Sequence, residues 1–112
     1  MKFRSAFLAL VLSASFAVAQ DTPQLTAARK LQADIQKGLP GSSLSDDEKT
    51  KINADATQLV TNATLRAQGG TPDRQLGRAA GMDIGKQAEK FQPADAAQIK
   101  QDLKALQAAA MQ

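Results

Sequence analysis

The residues able to do chemistry in this 112-residue chain are carboxylates, hydroxyls, amides and amines, because histidine, cysteine, tyrosine and tryptophan are all absent. Without histidine and cysteine the commonest general base, thiol nucleophiles and the soft metal ligands are gone. Serine–histidine and cysteine–histidine catalysis cannot be assembled. A pair of carboxylates would suffice for glycoside hydrolysis. The densest acidic cluster, Asp46-Asp47-Glu48, however, opens a helical pattern, where acids complement the helix dipole. It also lacks the Asp-x-Asp-x-Asp-Gly spacing of a calcium loop. The stretch from Gly38 to Ser43, GLPGSS, is too short for a phosphate-binding loop and has no lysine. Asn62-Ala63-Thr64 matches the glycosylation acceptor pattern but falls in mid-helix. These residues predict a non-enzymatic protein with no catalytic site, cofactor or metal.

One other stretch calls for explanation, TPDRQLGRAAGMDIGK at 71–86, with glycines at 77, 81 and 85. Each glycine inside a helix costs about 1 kcal/mol relative to alanine. At 100° per residue, Leu76, Ala80, Ile84 and Phe91 share one face. Gly77, Gly81 and Gly85 run along its flank with Ala88, and Met82 points nearly opposite. A strip without side chains lets another backbone come close, as in small-xxx-small helix contacts. Leu76, Gly77, Ala80, Gly81, Ile84, Gly85, Ala88 and Phe91 therefore form the candidate contact face. Three readings stay open: a close contact with the second or fourth helix of the same chain, a groove for a partner or a second copy, and a helix that breaks near Gly81.

The elements that must position this face are all helical by period. The first runs from about 23 to 37, with Thr22 as cap, Pro23 at the first position, and Leu25, Ala28, Leu31 and Ile35 on one side. Gly38 is expected to stop it, and Pro40-Gly41 marks a turn. The second begins at Ser45, whose pattern with Glu48 is a capping box. It carries Ile52, Ala56, Leu59, Val60 and Ala63, and Gly69-Gly70 end it. The third is expected to start with Thr71 as cap and Pro72 in first position, and to carry Phe91. The fourth starts at Pro93, and its Ala96, Ile99, Leu103, Leu106 and Ala110 alternate steps of three and four. No segment alternates as a strand does.

The two halves echo each other. At an offset of 49, Thr22, Pro23, Arg29, Asp34, Ile35 and Lys37 meet Thr71, Pro72, Arg78, Asp83, Ile84 and Lys86. At an offset of 47, Leu44 meets Phe91, and Ile52, Asp55, Leu59 and Ala63 meet Ile99, Asp102, Leu106 and Ala110. The fold predicted is all-α: a small bundle of four short helices in two duplicated hairpins, 22–67 and 71–111, in a single domain over 20–112. Asp34 with Lys37, and Asp83 with Lys86, read as exposed i, i+3 ion pairs. Arg29 and Arg78 read as a possible polar flank, their stems lying on a neighbouring helix.

The N-terminus, MKFRSAFLALVLSASFAVAQ, has a basic start, an apolar run over about 6–18 and the small-residue site Ala17-Val18-Ala19. That pattern is a secretory signal peptide over residues 1–19. The run is shorter than the ~20 residues a membrane span needs. Cleavage would place the protein in the periplasm or outside the cell. Without Lys2 and Arg4, twelve basic residues face eleven acidic ones, and the net charge falls from +3 to +1. Phe91 is then the one aromatic left. Neither the charge nor the aromatics support nucleic-acid binding. With no cysteine there are no disulfides, and the apolar complement is lean. The function expected is protein–protein interaction or self-association through the candidate face. The alternative is an envelope protein that binds amphiphiles or client chains, chaperone-like, by opening its alanine-rich seams. The Leu-Thr-x-x-Gln signature of small helical envelope chaperones is not met, since Leu25-Thr26 has Arg29 at the last position.

Overall fold

The computed structural model describes residues 21–111, so the signal peptide expected over 1–19 lies outside the described residues. Four helices follow one another: α1 (Pro23–Gly38), α2 (Asp46–Ala67), α3 (Arg74–Gln87) and α4 (Pro93–Ala110). A 3-10 turn follows α1 (Leu39–Gly41) and another follows α3 (Ala88–Lys90). Among the described residues there is no strand. Two of the echo's offsets recur in the element boundaries. The two 3-10 turns are 49 residues apart, and the starts of α2 and α4 are 47 apart.

The ends of the helices follow from local hydrogen bonding. Thr22 Oγ1 accepts from the Leu25 amide at 3.1 Å, and Pro23 occupies the first turn of α1, where a missing N–H is harmless. At α2 the capping box is complete. The Glu48 amide donates to Ser45 Oγ at 3.2 Å, and the Ser45 amide donates to Glu48 Oε1 at 2.9 Å. Past its other end Gly69 adopts φ +82°, the left-handed conformation that lets the Gly70 amide turn back to the Leu65 carbonyl at 2.7 Å.

Three expectations need correction. The third helix begins at Arg74, two residues later than the Thr71-Pro72 reading, because Asp73 takes the cap and accepts from the Leu76 amide at 3.0 Å. Phe91 is not on that helix. The 3-10 turn intervenes, and Phe91 follows it with extended backbone, its ring still buried. Gly38 does not stop α1 but is its last residue, and it is glycine for a packing reason. A Cβ there would lie 2.8 Å from Phe91 Cδ2 and 3.2 Å from Asp95 Cβ.

The core draws on all four helices. Leu25, Leu31, Ile35, Ile52, Ile84 and Ile99 are its largest fully buried side chains, and half of them belong to α1. Accordingly α1 packs broadly against both α2 and α4, while α3 packs against α2. The 3-10 turns meet at one end of the bundle, where the Ser43 amide donates to the Lys90 carbonyl at 2.8 Å and Gln92 Nε2 to the Gly41 carbonyl at 2.8 Å. Lys90 Nζ also reaches Glu48 Oε2 at 2.6 Å, which holds that carboxyl below its ordinary range, helped by the Ser45 amide. At the other end Arg66 joins three helices, donating to Gln24 Oε1 at 3.0 Å and to the Ala110 carbonyl at 2.7 Å. The fourth seam is different: α3 and α4 touch sparsely.

Candidate functional site: the glycine strip and the open seam

The α1–α2 seam and the α3–α4 seam occupy corresponding positions in the two halves, and only the first is closed. Gln36 Nε2 on α1 donates to Asn53 Oδ1 on α2 at 2.8 Å, and Gln32 Nε2 approaches Thr57 Oγ1 at 3.5 Å. In the second half the counterparts of Gln32 and Gln36 are Gly81 and Gly85, and those of Asn53 and Thr57 are Lys100 and Lys104. No amide pair can form there. The seam is left with a wall free of side chains on α3 and exposed lysines on α4.

The three glycines have three different surroundings. A Cβ on Gly77 would sit 2.6 Å from Asn62 Nδ2 of α2. That nitrogen is not idle: it donates to the Asp73 carbonyl at 2.8 Å, tying α2 to the start of α3. Asn62 is also buried and accepts from Gln58 Nε2 at 2.9 Å, so the glycosylation pattern at this position marks a structural amide. A Cβ on Gly85 would meet Leu103 Cδ1 of α4 at 3.9 Å, an ordinary contact. A Cβ on Gly81 would meet nothing within 4 Å. The strip is therefore a close intramolecular contact at Gly77, a loose one at Gly85, and open at Gly81, with the helix unbroken throughout.

The rest of the candidate face divides in the same way. Ala80, Ile84, Ala88 and Phe91 are buried in the core. Leu76 is 52% exposed and Met82 69% exposed. Leu76 stands out because α3 starts late, which puts it in the first turn. A shallow depression of about 440 Å³ lies along α4, lined by Leu103, Lys100, Lys104 and Gln107 with Ala97 and Gln101. Arg78 is exposed on α3, and Arg29 pairs with Asp21 at 3.1 Å with both side chains about half exposed, so the two arginines do not converge on one place.

Sequence reasoning missed a second feature. Asp34 and Asp83 turn toward neighbouring helices and do not pair with Lys37 and Lys86 as expected. Asp34 receives Lys30 Nζ at 2.8 Å, and the same ammonium reaches Asp102 Oδ1 on α4 at 3.3 Å. Asp83 receives Lys51 Nζ at 3.2 Å, and that ammonium reaches Asp55 Oδ1 on α2 at 3.4 Å. Burial and the neighbouring Asp83 carboxyl push Asp55 up to about 6, and burial with Asp34 raises Asp102 as well. Hydrogen bonding to Asp102 and to Lys30 holds Asp34 low, and hydrogen bonding to Asp55 and Lys51 does the same for Asp83. One signal was available: both buried members, Asp55 and Asp102, interrupt an apolar stripe at the same place in the echo.

No protein-family model, curated protein or solved structure matches this chain. Among the described residues no group of three or more acidic or other metal-ligating side chains could hold a metal ion, and no helix is long and apolar enough to cross a membrane.

Proposed function

We propose that this is an exported, non-enzymatic interaction protein that docks a helix from another chain, in the first instance a second copy, against the open stretch of α3. The observation that carries this reading is the space at Gly81. Its corresponding seam in the first half is closed by glutamine side chains, whereas a Cβ at Gly81 would meet no atom within 4 Å. A helix crossing at Gly81 could approach closely, as small-residue strips permit. Export follows from the leader pattern, and the lack of an enzymatic role from the missing histidine and cysteine.

The test is sedimentation equilibrium of the purified protein beside Gly81→Leu, with helicity recorded for both. A Cβ at Gly81 meets no atom within 4 Å, so the variant is expected to keep its fold while its side chain fills the docking position. The expected result is association of the wild type and a helical monomer for the variant. A wild type that stays monomeric up to millimolar concentration, or a variant that associates equally well, would overturn the reading.

A further inference from the structure

The two aspartate pairs are counterparts under the internal echo: Asp34 corresponds to Asp83 at the offset of 49, and Asp102 to Asp55 at the offset of 47. Each pair spans two helices, Asp55 and Asp83 joining α2 to α3, and Asp102 and Asp34 joining α4 to α1. In each, a single lysine ammonium lies within 3.4 Å of both carboxyls. In each, the more buried aspartate keeps one oxygen, Asp55 Oδ2 or Asp102 Oδ2, fully covered and without a donor. A buried carboxylate oxygen with no donor is costly. One ammonium also cannot neutralise two carboxylates. A single proton held between the two carboxyls answers both difficulties, because it supplies the missing hydrogen bond and brings the cluster to zero net charge.

We propose that Asp55–Asp83 and Asp34–Asp102 are two copies of one proton-sharing latch, each fastening an outer helix to the central α1–α2 pair and each loosening when its shared proton leaves. The charged groups facing Asp55 are Lys51 on its own helix and Asp83 on α3, and Gln87 donates to Asp83 from one turn further along. Those facing Asp102 are Lys30 and Asp34 on α1, with Gln98 donating from its own helix at 2.9 Å and Lys37 acting on Asp34 from farther off. The arrangement follows the rule that two carboxyls sharing a site separate their titrations, one upward and one downward.

The direction of the effect is fixed by those shifts. Asp55 and Asp102 bind their protons more tightly folded than unfolded, so what they contribute is present below pH 4 and is lost as pH rises through their raised folded values, about 6 for Asp55. Asp34 and Asp83 contribute in the opposite sense and lose their effect as pH falls through their lowered values. The bundle is therefore most firmly latched at mildly acidic pH and looser at neutrality. The device acts on α3, the helix of the proposed contact, but it stands whether or not anything docks there.

Carboxyl 13C chemical shifts of the protein, followed from pH 3 to pH 8, test it directly. Asp55 is expected to titrate near 6, and Asp83→Asn to move that midpoint downward by removing the like charge. Asp55 titrating in the ordinary aspartate range, or a midpoint indifferent to Asp83→Asn, would overturn the proposal. Asp55→Asn supplies a second check, since an amide can donate the same hydrogen bond without a proton to lose. Its melting temperature should change less between pH 5 and pH 7.5 than the wild type's. A variant as pH-sensitive as the wild type, or one unable to fold at either pH, would count against the latch.

Discussion

Two alanine substitutions one helical turn apart should move stability in opposite directions. Gly81 and Gly77 lie one turn apart on α3, so replacing either gains the same intrinsic helix propensity, about 1 kcal/mol. At Gly81 nothing offsets that gain, because the new Cβ meets no atom within 4 Å. Gly81→Ala should stabilise the protein by about 1 kcal/mol, or roughly 4–8 °C in melting temperature for a domain of this size. At Gly77 the new Cβ would stand 2.6 Å from Asn62 Nδ2. The amide must move, and its bond to the Asp73 carbonyl is lost or strained inside a covered interface. Leaving such a buried pair unmade costs about 1–3 kcal/mol, which outweighs the propensity gain over most of that range. Gly77→Ala should therefore be destabilising by up to about 2 kcal/mol net, once propensity and the lost bond are combined. Thermal and urea unfolding followed by circular dichroism would read both values. A destabilised Gly81→Ala, or a Gly77→Ala as stable as Gly81→Ala, would refute the assignment of open and closed stretches along the strip.

Two further outcomes follow from the packing. Gly38→Ala should destabilise by a kcal/mol or more by the usual scale of overpacking, because the Cβ collides with the Phe91 ring at 2.8 Å and with Asp95 Cβ. Denaturant midpoints of wild type and variant would check it, and a neutral result would show that the ring can yield. Ser45→Ala should lower stability by about 1 kcal/mol, since the hydroxyl that accepts from the Glu48 amide is removed. An unchanged unfolding midpoint would mean that the pairing of Glu48 with Lys90 alone suffices to start α2.

Much of this architecture was legible because the relevant forces are local. Thr22 and Ser45 mark helix starts through hydrogen bonds that each side chain makes within its own first turn, and Pro93 marks one because its fixed φ and missing N–H suit the first helical position. Leu31, Ile35, Ile52, Ile84 and Ile99 announce their burial through period alone. What failed to show were choices between neighbouring or distant partners. Asp73 and Thr71 are both competent caps, and the one used, Asp73, has its carbonyl held by Asn62, a partner eleven residues away that no local pattern shows. Gly38 looked like a stop signal, and its reason is a ring 53 positions away. The aspartates were misread for a related cause. An i, i+3 lysine is visible in sequence, whereas a second carboxyl arriving from another helix is not, and the latter sets their chemistry. The open seam needed both halves side by side, since only the contrast of Gln32 and Gln36 with Gly81 and Gly85 gives the gap a meaning.

The proposed docking surface is the open stretch between α3 and α4. Amide 1H–15N spectra of the protein recorded across a hundredfold range of concentration address it residue by residue. The expected result is concentration-dependent shifts confined to residues 76–85 of α3 and 100–107 of α4, with the closed α1–α2 seam unmoved. Spectra that do not change, or changes centred on Gln32, Gln36, Asn53 and Thr57, would contradict it.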